Sequence, residues 1–228
     1  SMNIFSRISN YIRNTSEINQ RFFFSIVMIA IIGMPILLGG KVFSSMLIAL
    51  CVLVVSEYVA IIKTPKPFTL IFIMVEFIGF NLMRESEFGL HKIMFIAFVI
   101  ACFDTTAYFI GKAIGKHKLC PNISPGKTIE GFLGGIICTI ALSFPMYYIL
   151  GCKVQLNLYF WIIAVLAVLS QVGDILESKF KRQHGVKDSS TLIPGHGGVL
   201  DRFDGYILVL PAFFAIDLLF KILNITLF

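Results

Sequence analysis

Residues 156–204 read LNLYFWIIAVLAVLSQVGDILESKFKRQHGVKDSSTLIPGHGGVLDRFD, and the change of character along them decides the fold. From 156 to 178 the chain is apolar almost without a break, long enough for a helix to cross a bilayer core. The run ends in Asp174 and Glu177, opens into a basic, Gly-rich connection, and re-enters an apolar helix through Asp201, Arg202 and Asp204. A carboxylate at the centre of a membrane helix costs about 2.5 to 3.5 kcal/mol, and less near an end, so charges at this border need a compensating cation, partner or water-filled vestibule.

Outward from that stretch the same pattern repeats. The chain of 228 residues is 57% hydrophobic and 14% charged, with 23 Phe, and its mean hydropathy is +0.87, a balance that suits lipid as the main solvent. Apolar runs predict seven spans, at 22–39, 42–62, 67–84, 91–111, 129–150, 156–178 and 199–222. The expected fold is therefore an all-α, polytopic transmembrane helical bundle, with residues 22–228 as one integral-membrane catalytic domain. Ahead of it, residues 1–21 carry Ile4, Phe5, Ile8, Tyr11 and Ile12 at helical intervals, which suits a short interfacial helix. The first apolar run has no small-residue cleavage site, so no signal peptide is expected. Cys51, Cys102, Cys120, Cys138 and Cys152 form no C-x-x-C pair and are expected to pack rather than bind metal or cross-link.

The net charge of +6 could serve nucleic acid, anionic lipid or an anionic substrate, and its placement decides among them. Seven spans put thirteen Lys and Arg residues on the side of the N-terminus and five on the other, Lys41, Arg84, Lys92, Lys153 and Lys221, with Arg202 set aside at a helix mouth. The positive-inside rule then predicts a cytoplasmic N-terminus and a site facing the cytoplasm, and the expected location is a bacterial inner (cytoplasmic) membrane. Membrane lipid, not nucleic acid, is the expected surrounding partner.

Three stretches meet on that face. DTTAYFIGK, from Asp104, sets Asp104, Tyr108 and Gly111 on one face of the fourth span. SPGKTIEG places Ser124, Gly126 and Lys127 just before the fifth span, where Ser124 could cap a helix and Lys127 could meet phosphate oxygens. QVGDILES aligns Gln171, Asp174 and Ser178, and Asp201 and Asp204 follow at i, i+3, about 5 to 6 Å apart at Cβ. Mg²⁺ suits such a set, since it takes few carboxylates and completes its shell with water and phosphate oxygens. Gly195, Gly197 and Gly198 free the backbone to approach an anion around His196, so phosphoryl or nucleotidyl chemistry is the natural inference.

The 27 residues SKFKRQHGVKDSSTLIPGHGGVLDRFD, from Ser178 to Asp204, resemble the signature of the phosphatidate cytidylyltransferases, also called CDP-diacylglycerol synthases. The stretches from Asp104 and Ser124 are similar to that family's two other recurrent motifs, and the first three spans carry no signature. The resemblance implies transfer of a cytidylyl group from CTP to phosphatidic acid, giving CDP-diacylglycerol and pyrophosphate with Mg²⁺. It also implies that Asp174 and Asp201 ligate metal, with room for a second cation; a second copy of the chain, as a homodimer, is a further candidate partner.

On this reading Asp174, Asp201 and Asp204 bind metal, while Lys127, Lys187 and Arg202 meet phosphate oxygens or the departing pyrophosphate. Ser124 and the Gly195, Gly197 and Gly198 backbone hold the nucleotide phosphates with Asp104 nearby, and Asp188 and His196 orient their neighbours. Simpler roles are expected elsewhere. Lys179, Lys181 and Arg182 can be the basic flank of a span, Glu57 and Glu76 a polar lining or packing contact, and His117 with Cys120 a solvated loop, while Asp217 has no assigned role. The alternative function is a cation- or proton-coupled membrane transporter with carboxylates along a pathway. A CDP-alcohol phosphotransferase is disfavoured, because its D-G-x-x-A-R opening is absent.

Overall fold

The structure is a computed structural model that describes residues 28, 30–62, 64–193 and 197–228. The expected interfacial helix over 1–21, residues 22–27 and 29 of the first expected span, and both Gly195 and His196 lie outside these described residues. Helical residues 30–38 (α1) lead into α2 (Gly40–Ile61), α3 (Pro67–Glu85) and α4 (Gly89–Ile114). A hairpin of β1 (Lys118–Cys120) and β2 (Ser124–Thr128) precedes α5 (Ile129–Ile149) and α6 (Leu156–Gln183), and the short α7 (Leu200–Phe203) precedes α8 (Tyr206–Ile222).

Among the described residues five helices, α2 to α6, are long and apolar enough to cross a membrane. Their outward faces carry large apolar side chains in the open, among them Phe68, Trp161 and Ile149, as lipid-facing surfaces do. The expected seventh span is divided: Asp204 and Gly205 keep right-handed backbone angles but separate α7 from the 17-residue α8. Asp204 Oδ1 accepts from the Gly205 N–H at 2.7 Å, a local bond that competes with helix continuation. The connection after α4, where a solvated loop is expected at His117 and Cys120, folds instead as an antiparallel hairpin with Lys118 opposite Thr128 and Cys120 opposite Ser124.

The core is aromatic and aliphatic, built where α4, α6 and α8 meet; Phe95 packs against both Tyr159 and Phe213. Small residues let the helices that carry the site come close. A Cβ on Gly131 would lie 2.6 Å from the Ala107 carbonyl oxygen and one on Gly135 would lie 2.9 Å from Ala107 Cβ, so α4 and α5 cross almost backbone to backbone. Gly173 plays the same part between α6 and the end of α7, where its Cβ would lie 2.6 Å from the Asp204 carbonyl.

Ion pairs mark the end of the bundle away from the hairpin. Arg84 Nε donates to the Ile36 carbonyl at 2.9 Å, closing the open carbonyls of α1, and Glu85 accepts from Gly40 N at 3.0 Å. Asp217, which the sequence left without a role, faces Lys92 at 2.9 Å and Lys221 at 3.2 Å, and so compensates a buried ammonium.

Candidate active site

The opposite end of the bundle collects the C-terminal ends of α2, α4 and α6, the hairpin, and the start of α5 and α7. Thr128 ends β2 and caps α5 by accepting from Gly131 N at 3.1 Å. This cap falls to Thr128 rather than to Ser124, because the chain stays extended through residue 128. Glu130 holds the hairpin base by accepting from Lys116 N at 3.1 Å and His117 N at 3.2 Å, and it also contacts His117 Nδ1 at 2.6 Å.

Between these elements lies a cavity of about 820 Å³. Asp104, Tyr108 and Gly111 line it from α4, Ser124, Gly126 and Lys127 from the hairpin, Gln171 and Asp174 from α6, and Asp201, Arg202 and Asp204 from α7 and its end. The three motifs, separate in sequence, thus share one wall-to-wall space. Lys127 ion-pairs with Asp174, joining β2 to α6 across the cavity, and Ser178 Oγ donates to Asp174 Oδ1 at 3.3 Å. The Lys127 ammonium nitrogen is buried and makes this pair without a hydrogen bond to any described residue.

Asp201 is placed differently from Asp174. Its Oδ1 accepts from Lys181 Nζ at 2.7 Å, and its Oδ2 accepts from Gly198 N at 2.8 Å and Ser189 N at 3.0 Å. Lys181 also pairs with Glu177 at 2.8 Å. It is buried, so it is not the solvated span flank expected from its neighbours in sequence; Lys179 and Arg182, on either side, are exposed. Gly197 adopts φ +81°, and a Cβ there would meet Asp201 Oδ2 at 2.5 Å, so a glycine is needed both for conformation and for space. Ile193 N donates to the Gly197 carbonyl at 2.9 Å, drawing the two ends of the loop together.

Of the remaining expected residues, Lys187 and Asp188 are exposed on the α6–α7 connection, outside the cavity wall. Glu57, from a helix without a motif, is buried against that same connection. Nothing local in the sequence marked it, beyond being a carboxylate inside an apolar run. Glu76 lines a second, apolar cavity of about 220 Å³ between α2, α3, α6 and α8, with Leu200 and Phe203 of α7 in its wall.

The donor set suits a hard cation. Among the described residues no group of three or more His, Cys, Asp or Glu side chains converges as a preformed cage. Mg²⁺ does not require one, since it is commonly held by one or two carboxylates together with water and phosphate oxygens. Asp104, Asp174 and Asp204 bring three carboxylates to the cavity beside Asp201, facing Lys112, Lys118, Lys127 and Arg202, and the carboxylate oxygens are the hard donors that a divalent cation would take.

Residues 66–220 match the model of the cytidylyltransferase family. The chain is also similar to proteins named phosphatidate cytidylyltransferase. It is 47% identical over 135 residues to that of Staphylococcus saprophyticus, covering 59% of this chain and 52% of the relative. To that of Staphylococcus haemolyticus it is 44% identical over 140 residues, covering 61% and 53%. The chain therefore spans about half the length of the curated relatives it matches.

Proposed function

Since the chain belongs to the cytidylyltransferase family, we propose that its cavity takes CTP and transfers the cytidylyl group to phosphatidic acid, leaving CDP-diacylglycerol in the membrane and releasing pyrophosphate. The observation that carries this reading is the meeting of Asp104, Lys127, Asp174, Arg202 and Asp204 in one cavity of about 820 Å³ at one end of an apolar bundle. A water-soluble triphosphate and a lipid headgroup can meet only at such a border. The relatives named phosphatidate cytidylyltransferase support the choice of substrates.

The lipid phosphate is already an anion, so its oxygen can attack the α-phosphorus of CTP without a strong general base. The bond to the β-phosphate oxygen breaks, and pyrophosphate leaves with that electron pair. What the protein supplies is position and charge. Lys127 and Arg202 face the triphosphate, and Lys127 exchanges its pairing with Asp174 for phosphate oxygens as the nucleotide enters. Ser124, on the cavity wall, would meet the nucleotide phosphates, whereas Gly197 and Gly198 are not on that wall and the Gly198 N–H is held by Asp201. Lys187, on the exposed connection, meets the departing pyrophosphate, with Asp188 beside it.

Asp174 and Asp204 would hold Mg²⁺. Asp201, whose oxygens already accept from Lys181, Ser189 N and Gly198 N, would add a remaining lone pair. The cation would neutralise charge on the triphosphate and on the leaving group. Seven spans with a cytoplasmic N-terminus would turn the cavity to the cytoplasm of a bacterial cell, where CTP is available; the basic residues Lys112, Lys116, Lys118, Lys127 and Lys179 at this end agree with that orientation. No observation favours the transport alternative, since the carboxylates that share a cavity, Asp104, Asp174, Asp201 and Asp204, sit at one end of the bundle.

The test is formation of labelled CDP-lipid from labelled CTP and phosphatidic acid in detergent, with Mg²⁺ supplied or chelated. Product is expected only when CTP, phosphatidic acid and Mg²⁺ are all present. No product under any of these conditions would sink the assignment.

A further inference from the structure

Glu57 is 5% exposed, and a buried carboxylate costs several kcal/mol unless its oxygens are satisfied. Four donors satisfy it. Oε1 accepts from Ser190 Oγ at 2.6 Å and Val199 N at 2.9 Å, while Oε2 accepts from Ser189 Oγ at 3.0 Å and Leu200 N at 2.7 Å. They come from the connection between α6 and α7 and from the helix it leads into: two hydroxyls, of Ser189 and Ser190, and two backbone N–H groups where α7 begins.

Each oxygen therefore bonds one group from each end of the segment 189–200, so a single carboxylate closes that loop on itself and fastens it to α2. Asp201 grips the same two ends through Ser189 N and Gly198 N. Between the two acids stands Gly198, where a Cβ would fall 2.6 Å from Glu57 Oε1 and closer still to Ser189 Oγ. Only a residue without a side chain lets the carboxylate come this near. Tyr58, the next residue of α2, stacks on Phe180 of α6 with ring centroids 5.6 Å apart, which fixes the helix end that presents Glu57.

We propose that Glu57 is a positioning residue of the nucleotidyl-transfer site: by tying both ends of the segment 189–200 to α2, it sets where Asp201, Arg202 and Asp204 stand in the cavity. This rests on the cavity being the CTP site. It adds to the reaction a helix that carries none of the motifs, and it explains two adjacent serines within the signature as ligands of a carboxylate rather than of substrate. A misplacement of reacting groups by about 1 Å can cost on the order of a hundredfold in rate, so the effect should appear in turnover.

The experiment compares wild type, Glu57→Gln, Ser190→Ala and the double variant in lipid nanodiscs, with kcat and KM expressed per folded protein. Glutamine keeps the size but turns an NH₂ group toward donors. The expected result is a fall in kcat of about ten- to a hundredfold with a rise in KM for CTP and none in KM for phosphatidic acid. Ser190→Ala should move the same constants less, and the double variant should be little worse than Glu57→Gln, because both act on one contact. Amide hydrogen exchange at Val199 and Leu200 should quicken at least about tenfold in Glu57→Gln and stay unchanged around Lys92 and Asp217.

A Glu57→Gln protein that melts earlier yet keeps wild-type kcat and KM for CTP overturns the proposal, as does strict additivity in the cycle. If Glu57→Gln does not fold, Ser189→Ala and Ser190→Ala decide it by the same kinetic constants and exchange rates. A wild type that makes no CDP-lipid refutes the proposed reaction instead, and exchange at Val199 and Leu200 then judges the tie by itself.

Discussion

Lys181 Nζ lies 2.7 Å from Asp201 Oδ1 and 2.8 Å from Glu177 Oε2, so one buried ammonium on α6 holds two carboxylates, one on its own helix and one on α7. The Lys181 and Asp201 side chains are 10% and 9% exposed, which places the pair where removing one partner leaves charge stranded rather than rehydrated. Lys181→Met should therefore destabilise the protein by about 3 kcal/mol and also lower turnover, because Asp201 no longer holds the α7 entrance. Thermal denaturation in detergent beside a CDP-lipid assay measures both, and wild-type values in both would remove the role assigned to Lys181.

Asp204→Asn keeps the shape of a side chain that lines the cavity and bonds Gly205 N at 2.7 Å. Its melting temperature should stay near that of wild type. Mg²⁺-dependent CDP-lipid formation should fall on the order of a hundredfold or more, as when one charge-stabilising group is removed from an active site. Normal Mg²⁺ dependence in this variant would take Asp204 out of the metal set.

Lys127 reaches Asp174 from the hairpin, and the pair joins the second motif to the third. Lys127→Met should raise KM for CTP and lower kcat while phosphatidic acid still binds, since Lys112 and Lys118 also line the cavity and would remain for the lipid phosphate. A titration of CTP at fixed, saturating phosphatidic acid reads the effect; an unmoved CTP dependence would contradict the contact with phosphate.

At the far end, Asp217 compensates Lys92, whose ammonium also donates to Ser86 Oγ at 3.0 Å. Asp217→Leu should cost about 3 kcal/mol by stranding that ammonium, and adding Lys92→Met should recover most of the loss, because a buried pair can be replaced by apolar groups at little cost. Neither change should alter KM for CTP. Denaturation midpoints of the two single variants and the double variant test the coupling.

Gly131→Val would drive a side chain into the Ala107 carbonyl and Thr128, where even a Cβ stands 2.6 Å and 2.9 Å from them. The α4–α5 crossing must then open, at a cost of about 1 to 3 kcal/mol or more. Because Thr128 also caps α5 and ends the strand that bears Lys127, activity should drop along with stability. Retention of both would mean that the crossing is looser than the backbone approach indicates.

The apolar runs made the helices legible, because lipid leaves the chain few ways to satisfy its backbone except helix. Spacing brought Asp104, Tyr108 and Gly111 to one helix face and Asp174 to the end of another, and the cavity is lined by those same residues. The short hairpin was not legible: SPGKT has little strand propensity, and its pairing with Lys118–Cys120 is anchored by Glu130 and by the Ile129 N bond to the His117 carbonyl at 2.9 Å. The break between α7 and α8 was hidden for a related reason, since Asp204 and Gly205 keep helical angles and only a side-chain bond interrupts the ladder.

By itself, then, the sequence determined that this is a helical membrane protein, and it named the acidic and basic groups at one end of its spans, because helix length, lipid solvation and charge spacing are local properties. Tertiary structure alone decided what those charges face. Lys181 lies between residues that remain solvated flank, yet it turns inward to Asp201; Glu57 finds Val199 across 142 positions of chain. Such pairings arise from which helices pack together, and the close glycine crossings that set the packing act between segments far apart in sequence.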